Sequence, residues 1–370
     1  MKIDLVFAGG GAKGIVHSGA VQAILDEGHE FRRLVGTSAG AITAVLLAAG
    51  FSTQEVTDVF TEKLPDGSSR LGTLKDAPET FTDDIVDNSM LYSLIQDVEP
   101  SFIPKHEQNK FMHKVIHAFL KSASFRELFS FIEFGGAYGG NTFFVWIQEL
   151  LAKKSLEKAT FAEFYEATGT HLTAVATDID NSSRLVLNHI TTPNLPVAWA
   201  TRMSMSIPLV WQEVLWQKEW GFYKEVDITG HTIVDGGVVS NLPLDLVLVD
   251  LAHVNKAMGG PPPDDHAIGL YIDMNMPVPG SDYKQSKSRL HSLSEDSHLA
   301  QIDHRMNNLI DTFTRAHDRI VANTYPKNIC RLPAKGYDTM DFDMSDDRVQ
   351  ALIDAGNIAM RDYLATMGKE

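Results

Sequence analysis

The chain has 370 residues and a mass of 40.9 kDa, with 44% hydrophobic and 22% charged residues, values of a globular protein that can bury a large core. Its 32 basic and 48 acidic side chains leave a formal charge of −16, which argues against a nucleic-acid partner because a phosphate backbone would repel the molecule. A single cysteine, Cys330, excludes an intramolecular disulfide framework and a thiolate metal cluster, and fits a reducing, cytoplasmic setting.

Met1-Lys2-Ile3-Asp4 places an acid where a secretory leader needs an apolar run, so no leader is expected. Ile3 to Ala8 reads as a mostly buried strand ending in Gly9-Gly10-Gly11. Ile15 to Glu27 follows with Val16, Ala20, Val21, Ile24 and Leu25 at helical spacing, and Gly28 closes it. Phe31 to Gly36 is a second strand, and Ser38 to Ala49 a nearly all-apolar helix capped by Gly50. Strand, helix, strand, helix predicts a parallel sheet with right-handed crossovers. The longest apolar run, the 13 residues Ala39 to Phe51, is shorter than the roughly 20 that span a bilayer. The protein is therefore expected to be soluble, or to touch a membrane surface from one side.

Residues 61–135 break this rhythm with polar turns and short helices, and read as a lid-like or edge insertion after the second helix. Beyond it Leu172 to Thr177, Thr232 to Val234 and Ala267 to Ile272 are predicted strands, and Leu299 to Asn323 and Asp346 to Ala365 predicted helices. Residues 253–300 are loop-rich. Strands continue on both sides of the loops, so residues 1–370 are expected to form one α/β domain.

Gly36-Thr37-Ser38-Ala39-Gly40 is a G-x-S-x-G between strand and helix. In that sharp turn the flanking glycines leave room only for hydrogen, and the serine oxygen is presented near the positive end of a helix. Taken alone, the pattern is equally a small-residue turn. Gly9-Gly10-Gly11-Ala12-Lys13-Gly14 lies at the same sheet edge and offers backbone N–H groups to an anion. It matches the dinucleotide fingerprint G-x-G-x-x-G, but the second strand ends in Gly36-Thr37-Ser38 without the acid that would hold a ribose. It is not a Walker loop, since Gly14 follows Lys13. The remaining chemistry is an oxyanion hole serving Ser38. Val234-Asp235-Gly236-Gly237 is the candidate partner, a carboxylate at a strand end beside two glycines, although alone it is an ordinary Asp-Gly turn. The histidines His253, His266 and His291 read as surface residues.

These three motifs, in this order, resemble the patatin-like phospholipases. Ala174-Val175-Ala176-Thr177-Asp178, Ser204-Met205-Ser206-Ile207-Pro208 and Asn241-Leu242-Pro243 extend the resemblance, as does the final strand and helix, Ile329 to Leu364. The resemblance implies a three-layer α/β/α sheet and a serine lipid acyl hydrolase of the phospholipase A or lysophospholipase type, working through a Ser–Asp dyad without histidine or cofactor. It implies Ser38 as nucleophile, Asp235 as base, Gly9, Gly10, Gly11 and Ala12 around the oxyanion, Gly36 and Gly40 as the nucleophile elbow, and Lys13, Gly14, Gly236 and Gly237 in support. Some relatives are effectors or are switched on by a partner or small ligand, and nothing in this sequence identifies one. The rivals are a peripheral membrane-binding module with a weak, vestigial or ligand-activated site and, disfavoured by the missing acid, a nucleotide-binding oxidoreductase.

Two further segments invite a function. His106 to Lys121 drawn as one helix puts Phe111, Met112, Val115, Ile116, Phe119 and Leu120 on one face and Lys110, His113, Lys114, His117 and Lys121 on the other. That is an interfacial anchor or, the more common outcome, a core-facing helix. The aromatic run from Phe125 to Trp146 is interleaved with glycines and reads as a lid over an acyl pocket or as plain core packing. His113 with His117, or His298 with His304, lack a third ligand at useful spacing, and the acids Asp341, Asp343, Asp346 and Asp347 do not follow a calcium-loop pattern, so no metal is expected.

Overall fold

The computed structural model describes residues 1–76, 78, 80–96, 113–262, 266–280, 312 and 317–367. In chain order the strands are β1 (Lys2–Phe7), β2 (Glu30–Thr37), β3 (Gly136–Tyr138), β4 (His171–Asp178), β5 (Ser183–Leu187), β6 (Leu209–Trp211), β7 (Val214–Leu215), β8 (Thr232–Asp235), β9 (Ala267–Pro277) and β10 (Ile329–Lys335). Eight of them form one sheet in the order β10-β9-β1-β2-β4-β8-β7, with β5 also on β4, while β3 and β6 make a separate parallel ribbon. From β10 to β4 the strands are parallel, and β1 is apolar and buried along nearly its whole length, as a strand covered on both faces requires.

The predicted all-parallel rhythm stops at β4. β5 and β8 run antiparallel to it, and β7 antiparallel to β8. β5 occupies one edge of β4 from Ala174 to Asp178. The other edge is shared: β2 pairs with it as far as Thr37 opposite Val175, and β8 arrives from the opposite direction, ending with Asp235 opposite Ala176. The carboxyl ends of β2 and β8 therefore meet head to head, one register step apart.

Helices flank the sheet, which makes the fold mixed α/β. α1 (Val16–Asp26) and α2 (Ala39–Ala48) follow the first two strands, with α3 (Val197–Ser204) and the C-terminal α4 (Asp346–Met367) later. α2 is buried on nearly every side, which explains its lack of a polar face. α1 and α4 touch backbone to backbone: a Cβ on Gly19 would lie 1.8 Å from the Ile353 carbonyl oxygen, and one on Gly356 2.1 Å from that of Val16. Between α2 and β4, a second small hydrophobic cluster forms around Val86, Tyr92, Ile116, Leu120 and Phe129.

Candidate active site

At Ser38 the chain turns from β2 into α2 with φ 55° and ψ −126°, a left-handed conformation that costs a non-glycine residue about 1–3 kcal/mol. Its neighbours explain the glycines. A Cβ on Gly36 would lie 2.3 Å from the Gly40 carbonyl oxygen, and one on Gly40 2.4 Å from that of Phe7. The strained residue is pinned: Ser38 N–H donates to Ser204 Oγ at 2.9 Å, and that hydroxyl donates to the Val175 carbonyl at 2.6 Å. α2 then starts from the Ser38 carbonyl, which accepts from Ala41 N–H at 2.8 Å.

Asp235 is held as firmly. Its N–H donates to the Ser206 carbonyl at 2.9 Å, its own carbonyl accepts the Thr177 hydroxyl at 3.0 Å, and its Oδ1 accepts the Gly237 N–H at 2.6 Å. A Cβ on Gly236 would sit 2.3 Å from the Val175 carbonyl oxygen, so only glycine lets β8 approach β4 here. The carboxyl is 2% exposed. Burial raises it to about 7, against the opposite pull of the Ser38 hydroxyl and the Gly237 N–H. The Ser38 hydroxyl is thus near enough to favour the ionised form, yet Oδ2 accepts no bond of full hydrogen-bond geometry among the described residues.

The glycine loop lies over the same point. Gly9 exchanges bonds with Asn241: its N–H donates to the Asn241 carbonyl, and Asn241 Nδ2 donates to the Gly9 carbonyl, each at 3.2 Å. Ala12 N–H donates to the Thr339 carbonyl at 2.9 Å. Gly11, with φ 56°, lies so close to Thr339 that a Cβ would come 2.2 Å from its carbonyl oxygen. Of the four N–H groups expected around an oxyanion, those of Gly9 and Ala12 are therefore committed to carbonyls. Those of Gly10 and Gly11 have no partner among the described residues. Lys13 is buried and donates from Nζ to Thr339 Oγ1 at 2.7 Å, and Gly14 leaves room for Ala39.

Two clefts meet at Ser38. One is almost wholly apolar and runs past Ala39, Ile42, Phe60, Leu74, Phe143 and Trp211. The other is lined by Gly9, Gly10, Gly11, Lys13, Asp235, Asn241 and Asp318. Both include Gly11, Ser38 and Ile207. Among the described residues no histidine lines either cleft. His17, four residues after Lys13, is wholly buried edge-on to Phe7, with its pKa lowered to about 3 by burial, so it stays neutral.

Several supporting residues had no signal in the sequence, or one that carried no role. Ser204 stands in a quoted landmark, but its bond to the Ser38 backbone depends on α3 lying against β4. Arg202 is 3% exposed, its pKa lowered to about 10 by burial, and donates to the Gly139 and Gln212 carbonyls at 3.0 and 2.9 Å and to Ser206 Oγ. It ties the glycine bend before residue 141 to the segment that anchors Asp235. An arginine, the one charged residue in the helix Val197–Ser204, was the one available hint. Asp318 sits in a stretch read only as a helix.

The aromatic run divides between the two cores: Phe129 lies in the second cluster, while Phe143 and Trp146 are in the main one and Phe143 lines the apolar cleft. Of the amphipathic segment, residues 106–112 lie outside the described residues; 113–119 are helical, and Ile116 and Leu120 face the second cluster. The fold brings the exposed Asp83 beside the pair His113 and His117, a proximity that does not by itself make a metal site. His117 Nε2 lies 3.3 Å from Asp83 Oδ1, and His113 Nε2 3.6 Å from Asp87 Oδ1. Asp178, Asp180 and His231 form a second such group, with His231 Nδ1 2.8 Å from Asp178 Oδ2.

A nucleophile-type elbow at the carboxyl edge of a mixed sheet, between an apolar and a polar cleft, places the chain among the α/β enzymes. The family model for patatin-like phospholipases matches residues 5–248, and the chain belongs to that family; it is a hydrolase. An uncharacterized protein of Bacillus subtilis, YqhO, is 27% identical over 363 residues, covering 96% of each chain. A probable lipid hydrolase of Invertebrate iridescent virus 6, 463L, is 24% identical over 115 residues, 31% of this chain and 36% of that one. Among solved structures, VipD of Legionella pneumophila is 16% identical over 98% of this chain and 67% of its own, with a TM-score of 0.46. ExoU of Pseudomonas aeruginosa, in its complex with SpcU, is 17% identical with a TM-score of 0.43, and this chain spans 51% of its length.

Proposed function

We propose that the protein is a serine lipid acyl hydrolase that cleaves fatty-acyl esters through an acyl-enzyme on Ser38 and Asp235. The observation that carries this is the position of Ser38, strained and pinned, where an apolar cleft meets a polar one beside a buried carboxylate. The apolar cleft takes the acyl chain, and the alcohol half of the ester lies on the polar side. Ser38 Oγ attacks the carbonyl carbon while Asp235 takes its proton, and the negative oxygen settles against the Gly10 and Gly11 N–H groups. As the tetrahedral intermediate collapses, Asp235 returns that proton to the departing alcohol. A water, deprotonated by Asp235, then attacks the acyl-enzyme, and the proton passes to Ser38 as the fatty acid leaves.

An aspartate in water, with a pKa of about 3.9, is a poor base for a hydroxyl. The burial that raises Asp235 to about 7 brings it into the range where it can exchange a proton at neutral pH. Ser38→Ala and Asp235→Asn are each expected to abolish hydrolysis of a long-chain ester while leaving the circular dichroism spectrum unchanged. Full activity in either variant refutes the assignment.

A further inference from the structure

The polar cleft holds a second carboxyl that the steps above leave unused. Asp318, in the helical residues 317–324, is 2% exposed and lines the cleft with Ser38, Lys13 and Asp235. Its Oδ2 accepts the Asn241 Nδ2 amide at 2.6 Å; the Leu242 N–H is near enough to favour the ionised carboxyl, but the buried Oδ1 accepts no bond of full hydrogen-bond geometry among the described residues. Burial raises this carboxyl to about 7, against the pull of the Asn241 amide and the Leu242 N–H. A buried oxygen without a well-formed bond is costly, and on a cleft wall a better-placed donor can come from a bound molecule.

Charge decides which donor fits. Asp235 and Asp318 oppose a phosphate, while the Lys13 ammonium in the same cleft opposes a substrate ammonium. An uncharged hydroxyl meets neither objection. With the acyl chain in the apolar cleft, that hydroxyl belongs to the alcohol half of the ester. We propose that Asp318 determines specificity by accepting a hydrogen bond from a free hydroxyl of the leaving alcohol, so that polyol esters are preferred to simple alkyl esters. This rests on the hydrolase reading of Ser38 and Asp235.

The test compares kcat/KM at pH 8 for a 1-monoacylglycerol and for the propyl ester of the same fatty acid. The wild type is expected to favour the glycerol ester. Asp318→Asn keeps an oxygen for the Asn241 amide but turns an N–H toward the cleft, and is expected to reduce that preference about tenfold, the loss of one hydrogen bond to a charged group. Absence of any preference in the wild type, which needs no variant to fold, overturns the inference. So do equal losses on both esters, which make Asp318 only a prop for Asn241. If the wild type hydrolyses neither ester, or Ser38→Ala hydrolyses both, the hydrolase reading itself falls and takes this inference with it.

Discussion

Ser38 and Asp235, the proposed reactive pair, are both held in unfavourable states. Ser38 holds a left-handed backbone because its N–H is tied to Ser204 and its carbonyl begins α2. Asp235 is denied water but given one strong donor, the Gly237 N–H, so its carboxyl stays near the middle of the pH range. On the proposed mechanism only the ionised carboxylate accepts the serine proton, so kcat/KM is expected to rise with pH through a limb near 7. That limb should survive Asp318→Asn. A pH–rate profile with its acid limb near 4 would instead describe a solvated carboxylate. Both motif residues were legible in the sequence as short patterns. Arg202, Ser204 and Asp318 were not, because their partners lie in distant segments and no local spacing records them.

At the scale of elements, small residues let backbones meet. Gly36 lets the first turn of α2 fold back over β2, Gly40 brings the elbow against β1, and Gly19 and Gly356 bring α1 against α4. The helix pair gives a test free of catalysis. In Gly356→Leu the new side chain would have to enter where even a Cβ lies 2.1 Å from the Val16 carbonyl oxygen. Overpacking of this kind costs about 1–3 kcal/mol. A clear drop in the thermal midpoint is expected; an unchanged midpoint would mean that α4 moves away without penalty. The first βαβα unit was readable because its apolar runs are long and set off by glycines, and the C-terminal helix because its buried residues recur at helical spacing. The antiparallel β5, β7 and β8 were misread or missed, since a short apolar run of two to five residues carries no mark of its direction.

For the whole molecule, buried ionisable groups link the site to stability. Asp235 and Asp318 are raised from 3.8 to about 7, so between those values the folded state holds protons that the unfolded chain has lost. Stability from both acids is therefore present below about pH 4 and is lost as pH rises through 7. His17, lowered from 6.5 to about 3, works in the opposite sense, weakening the fold as pH falls below 6.5. Asn copies the protonated acid, so Asp235→Asn is expected to raise the melting temperature at pH 8 and to change it little at pH 4. An equal effect at both pH values would show that burial does not hold this carboxyl away from its ordinary range.

What the sequence determined by itself was local: an α/β alternation from hydrophobic period, a serine in a turn that tolerates only glycine beside it, and a carboxylate at a strand end. Each is set by residues within a few positions of one another. Tertiary structure decided the rest. Ser38 and Asp235 meet because β2 and β8 share one edge of β4 from opposite directions, a pairing that depends on nearly two hundred intervening residues. The same long-range packing commits the N–H groups of Gly9 and Ala12, leaves those of Gly10 and Gly11 without a partner among the described residues, and brings Asp318 to the wall of the cleft. Hydrogen-bond competition and desolvation depend on what surrounds a residue in space, and neighbours along the chain do not specify that.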